Sequence, residues 1–133
     1  MSEAKSNLQL VEDGFAAFAG DGVEGLISLI ADDFVLVTPP SLASEPDTYR
    51  GKDGLRRYFG SFYEAMEGIE LRPSEFTAVG EKVVVDFTLV ARGRTTGIEA
   101  AQHAYMVWEL RDGLAVRVDL YPDRDEALSA AEL

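Results

Sequence analysis

Residues 83–121, VVVDFTLVARGRTTGIEAAQHAYMVWELRDGLAVRVDLY, decide how the chain folds. Runs rich in Val, Phe, Trp, Tyr and Leu are parted here by a Gly/Thr-rich loop and by Arg111-Asp112-Gly113. β-Branched and aromatic residues fit a pleated, half-buried surface, and Asp-Gly suits a tight hairpin turn. The stretch therefore predicts a meander with strands over 82–92, 98–111 and 114–121.

Strand alternation sorts these residues into two faces. Gln102, Ala104, Met106, Trp108 and Leu110 share one side of the middle strand, with Val116, Val118 and Leu120 on the last. His103, Tyr105, Val107 and Glu109 take the other side, with Arg117, Asp119 and Tyr121. The first set is the more apolar and is expected to face a core. Asp86 and Thr88, which alternate with Val85, Phe87 and Leu89, are expected on the solvent side.

Outward from the meander, helical spacing of Leu8, Val11, Phe15 and Phe18 behind Ser6 predicts a first helix that ends near Gly20. A short second helix carries Val23, Leu26, Ile27 and Ile30 on one side. Phe34 to Thr38 reads as a strand stopped by Pro39-Pro40, and Ser41 to Lys52 as a loop. Leu55, Tyr58, Phe59, Phe62 and Met66 form the stripe of a third helix. A strand from Ile69 to Val79 follows, with Pro73 at an edge or bulge, then a turn at Gly80-Glu81. Past Pro122, Asp123 with Glu126 three residues on caps a last small helix that turns Ala127, Leu128 and Ala131 inward. Such an order is α+β, and a chain of 133 residues fits one domain over 1–133.

Twenty-four acidic against twelve basic side chains give a formal charge of −12, a surface that repels phosphate backbones and anionic lipid. Nucleic acid and membrane are therefore not expected partners. Without cysteine there are no disulfides, thiolate nucleophiles or cysteine-zinc sites, and a single histidine leaves little for a histidine-based one. No metal or cofactor is expected: Asp32-Asp33 reads as a solvated pair, and Gly51-Lys52-Asp53-Gly54 introduces a helix instead of cradling phosphate. The first residues lack a basic segment followed by an apolar run, so a cytoplasmic location is the expectation.

The phrases AGDGVEGLISLIADDF, YRGKDGLRRYF, VGEKVVVDFTLVARGRTTG, WELRDGLAVRVDLY and DRDEALSAAEL, in that order, resemble the nuclear transport factor two-like superfamily. Within it they resemble the group of ketosteroid isomerases and SnoaL-like polyketide cyclases. The resemblance implies a cone in which a curved mixed sheet wraps three helices around an apolar pocket, with a short C-terminal helix. It also implies a homodimer packed through the outer sheet face. Isomerases, cyclases, epoxide hydrolases, dehydratases and non-catalytic domains share this architecture, so fold alone does not assign an activity.

Ketosteroid isomerases use a carboxylate base opposed by a Tyr and a protonated Asp. The resemblance puts Thr38 at the base position, Gly14 or Phe15 near that of the Tyr, and Met106 near that of the Asp, so the acid/base set is replaced. Epoxide hydrolases of this fold carry a carboxylate just before a Tyr on the last strand. Leu120 holds that place, and Asp119, one residue earlier, points to the opposite face.

The expected ligand pocket is formed by Phe15, Thr38, Tyr58, Phe62, Phe87, Gln102, Met106, Trp108, Val118 and Leu120. Such a wall suits a small, mostly apolar organic molecule. The outer set reads first as cross-strand ion pairs and aromatic contacts that stabilise a sheet or a dimer. Its sharper alternative makes His103 a base oriented by Asp119. Isomerase, cyclase or hydratase-type chemistry is one expectation, and a non-catalytic dimerisation or interaction domain with a self-filled cone is the other.

Overall fold

Residues 6–38 and 48–132 are described by a computed structural model. Helix α1 (Asn7–Asp21) starts where the Ser6 side chain accepts from the Gln9 amide, the cap expected from the sequence. It runs past Gly20 to a turn at Gly22, whose positive φ of 67° ends α1 and leads directly into α2 (Val23–Ile27). Strand β1 (Ile30–Val37) begins four residues before Phe34. Part of the segment read as a loop is strand β2 (Thr48–Arg50), which pairs antiparallel with β1 through Val35, Leu36 and Val37. Helix α3 (Gly51–Ala65) then leads into β3 (Met66–Val79), so Met66 opens a strand instead of closing a helix.

The meander takes the form expected: β4 (Lys82–Gly93), β5 (Glu99–Arg111) and β6 (Leu114–Tyr121). At the β5–β6 turn Asp112 and Gly113 have φ of 53° and 81°, the two positive values a tight hairpin of this hand requires. Strand order is β2-β1-β6-β5-β4-β3. The β1–β6 pair is parallel and all others are antiparallel, which makes the open sheet mixed.

Register shifts bend it. They fall in β3 between Glu67 and Glu70 and between Pro73 and Glu75, in the β5–β6 pair between Glu109 and Leu110, and in the β1–β6 pair between Ile30 and Val35. A bulge locally bends its strand and increases twist, so three long strands curl. Pro73 sits on an edge strand beside one of these shifts, where its missing N–H breaks no interior ladder.

Helices α1 and α3 pack on the concave side, with α2 bridging them. The main core there joins Val11, Phe15, Phe18, Phe34, Phe59 and Trp108 to Val83, Val85 and Val118. The last helix, α4 (Arg124–Ala131), capped by Asp123 as expected, lies on the convex side instead. Its Ala127 and Ala131 close a second small core over Val84 and Val107, with Tyr105 and Tyr121 at the margin. The outer sheet face is thus partly covered by the chain itself.

Candidate functional site

Each row of the concave face crosses the sheet by strand pairing. Leu36 on β1 stands beside Val118 on β6, Val118 beside Trp108 on β5, and Trp108 beside Val83 on β4. The next rows run Leu120–Met106–Val85, then Ala104–Phe87, then Gln102–Leu89–Leu71. Because side chains alternate, register alone sends all of these to one side.

Between this face and the helices lies a cavity with about 60 Å³ of space for the centres of water-sized spheres. One water needs ~10–15 Å³ on that measure, so several waters or part of an organic molecule fit. Phe15 from α1, Tyr58 from α3, Phe87 from β4, Met106 and Trp108 from β5, and Val118 and Leu120 from β6 contribute to the wall. Gln102 also belongs to it but is exposed, which puts it at the rim.

Two expected members stand differently. Thr38 is buried but lies one residue beyond the end of β1 and does not line the cavity. Its expected place in the wall is therefore corrected, because the ladder that would aim it inward stops at Val37. Phe62 lies on α3, but its side chain is outside the described residues.

Several wall residues were not anticipated: Gly14 and Phe18 from α1, Leu26 from α2, Phe34 and Leu36 from β1, and Leu71 and Leu89 from the β3–β4 pair. Phe18 shares the face of Phe15, and Leu89 shares that of Phe87, so their periodicity carries the signal. Gly14 has no side chain to give one.

The cavity is aromatic at its helical side. Phe15 meets Phe87 at 6.5 Å and Trp108 at 6.2 Å between centroids, and Phe18 meets Phe59 at 5.0 Å. Tyr58 packs edge-on against Tyr49 and Phe59 at 5.1 and 5.2 Å. Burial, and secondarily the nearby Tyr49, pushes the Tyr58 phenol up to about 12. Near neutrality it is a protonated group that can donate a hydrogen bond and cannot act as a base. Trp108 is only 6% exposed, and its indole Nε1 has no hydrogen-bond partner among the described residues. Among the described wall residues there is no carboxylate, histidine, lysine or arginine.

On the convex face, the alternative that paired His103 with Asp119 is corrected. His103 Nε2 meets Asp86 Oδ1 on neighbouring β4, and the His103 ring stacks at a tilt on Tyr105 with centroids 5.0 Å apart. Asp119 is taken by Arg117, whose Nε donates at 2.6 Å, and by the Tyr121 hydroxyl at 3.4 Å. The reason is registry. His103 lies opposite Thr88, two residues from Asp86 and on the same face, whereas Asp119 lies opposite Val107, four residues along β5. That hydrogen bond to Asp119 holds the Arg117 guanidinium above its usual range, and burial raises the Tyr121 phenol.

Lys82 and Glu109 pair at 3.7 Å in the same layer. These groups form a network that ties strands together, with the cavity on the far side of the sheet. Among the described residues no group of three or more His, Asp or Glu side chains could hold a metal ion, and no helix is long and apolar enough to cross a membrane.

A curved mixed sheet over three helices, with an apolar cavity between them, defines the cone-shaped class of small domains to which NTF2-like proteins belong. The profile of the SnoaL-like domain family matches residues 11–118, and the chain belongs to that family. It is similar to an NTF2-like protein of unknown function from Burkholderia pseudomallei K96243, at 24% identity and a TM-score of 0.77, over 97% of this chain and 99% of the other. It is similar to TerC, co-crystallised with polyporic acid, at 25% identity and a TM-score of 0.77, over 96% and 98%. A putative polyketide cyclase from Xanthomonas campestris pv. campestris shares the fold at 19% identity and a TM-score of 0.73, over 95% and 99%. Among curated proteins the sequence finds no match.

Proposed function

We propose that this SnoaL-like domain holds a small, neutral, mostly apolar organic molecule in its cavity. The observation that carries the reading is the wall itself, built from aliphatic and aromatic side chains with the Gln102 amide at its rim and, among the described residues, no ionisable group besides the phenol of Tyr58. Burying an ion against such a wall without a partner charge costs several kcal/mol or more, so a neutral guest is preferred. TerC, of the same fold, has been co-crystallised with polyporic acid, which is in keeping with an organic guest and carries no argument about its charge.

Isomerase, cyclase or hydratase-type chemistry belongs to the proposal only in a restricted form. A proton-abstracting base is lacking among the described wall residues, so any reaction here rests on hydrogen-bond donation and on the shape imposed on the guest. The rival reading, a non-catalytic interaction domain with a self-filled cone, is weakened by the open space beside Trp108 and Phe15. A homodimer through the part of the outer sheet left bare by α4 also belongs to the proposal. A monomeric mass by light scattering would remove it.

Native mass spectrometry of freshly purified protein, followed by thermal shift across matched neutral and carboxylated aromatic compounds, tests the binding reading. Stabilisation by the neutral members alone is expected. If no compound raises Tm and no small molecule co-purifies, the reading fails.

A further inference from the structure

The strands of the sheet do not end level. Pairing of β6 with β5 stops at Tyr121 opposite Tyr105, and pairing of β1 with β6 stops at Val37 opposite Asp119. Beyond that point β5 continues toward Glu99 with β4 on one side only, and β4 in turn carries β3. Ala104 is 4% exposed, whereas Gln102, one row further out, is exposed while still lining the cavity. The cavity thus reaches solvent where the long strands outrun the short ones, and Gln102 stands on that lip.

Polarity along the wall is sorted the same way. The inner rows, Val118–Trp108–Val83 and Leu120–Met106–Val85, offer a guest no strong hydrogen-bonding group, since the indole nitrogen of Trp108 is fully buried. Gln102 lies six residues from Trp108 on the same strand, roughly 20 Å at ~3.3 Å per residue. Its amide carries two N–H donors and a carbonyl acceptor. Across the sheet it meets Leu89 and then Leu71, and Ala100 and Ala104 flank it on its own face of β5, so no side chain beside it on the sheet takes up those groups.

We infer that the guest enters apolar end first and that Gln102 sets its orientation, pairing at the lip with a neutral end group that both donates and accepts, such as a hydroxyl or carboxamide. The inference rests on the reading of the cone as a ligand site and adds to it a direction and an end group. A hydroxyl pushed against the inner rows would lose its water without gaining a partner, whereas at the lip it keeps both.

The probes are 4-phenylbutan-1-ol and pentylbenzene, which differ by a hydroxyl in place of a methyl. The chain has two glutamines, Gln9 and Gln102, and one asparagine, Asn7, so Gln102→Leu identifies the Gln102 amide pair by its loss from a ¹H–¹⁵N spectrum. The alcohol is expected to shift that pair in the wild type and to leave the Gln9 pair unmoved. Gln102→Leu, close in size and at an exposed position, is expected to weaken the alcohol roughly two- to tenfold and to leave pentylbenzene as tight as before or tighter. Tyr58→Phe, which removes the other polar group of the wall, is expected to weaken the alcohol less.

An unmoved Gln102 pair, no selective loss of the alcohol in Gln102→Leu, or a larger loss in Tyr58→Phe would each overturn the orientation and leave the ligand site standing. Binding of neither probe to the wild type would overturn the ligand site and the orientation together.

Discussion

The two faces of the sheet are made from the same strands and serve different ends. On the concave side, Val83, Val85, Phe87 and Trp108 meet three helices and leave a cavity whose wall is almost without charge. On the convex side, His103 meets Asp86, Lys82 pairs with Glu109 and Arg117 with Asp119. A histidine beside a carboxylate looks like catalytic machinery, yet here it braces neighbouring strands, and the side suited to a guest is the one with hardly any titratable chemistry. The comparison teaches that ionisable clusters locate an active site only when they share a face with a cavity.

The sharpest way to break this contrast is to hollow the concave core. Phe34→Ala, at a residue 2% exposed, is expected to cost ~3–5 kcal/mol in urea unfolding. A loss under ~1 kcal/mol would mean that the concave core does not govern stability. Next in size is Ala127→Asp, which drives a charge into the small core over Val84 and Val107. Undocking of α4 limits the loss to about 3 kcal/mol. Hydrogen exchange should rise in 124–131 while β4 and β5 stay protected; uniform loss of protection would show a single cooperative core instead of two.

Alkaline pH separates the faces through Tyr58. Its phenol titrates near 12 when folded and near 10 when unfolded. Between those values the unfolded chain has released a proton that the folded one keeps, so stability present below pH 10 is lost as pH rises through 12. The loss attributable to this group is on the order of 2 kcal/mol. Tyr58→Phe should flatten that part of the profile, and an unchanged slope would refute the assignment.

Smaller still, Gly14→Ala is expected to raise helix stability by ~0.5–1 kcal/mol, since its methyl meets Leu26, Leu29 and Trp108 at ordinary distances. It should at the same time weaken cavity ligands several-fold. A variant that binds as well as the wild type would place the guest elsewhere. Smallest is His103→Ala, which breaks the exposed contact with Asp86 and is expected to cost under ~1 kcal/mol and to leave ligand affinity unchanged. A large fall in affinity would return the convex face to consideration.

Much of this was legible without coordinates. The alternation of Gln102, Met106 and Trp108 against His103, Tyr105 and Glu109 gave the right sides of β5, because a period of two leaves no other choice. Ser6, Asp112-Gly113 and Asp123 marked their cap, turn and cap because each acts within a few residues. Strand β2 escaped notice: three residues are too few to show a period, and their strand character comes from pairing with β1. The place of Thr38 and the partner of His103 follow from where a ladder ends and how a neighbouring strand is registered, which the local pattern does not carry.

The sequence by itself determined the order of elements apart from β2, and the two faces of the meander, because these follow from local spacing and residue type. Only the tertiary structure decided that His103 meets Asp86, that α4 covers part of the convex face, and that Gly14 stands beside the Trp108 ring. Each of those depends on contacts between residues far apart in the chain, where strand register and helix placement settle which groups meet.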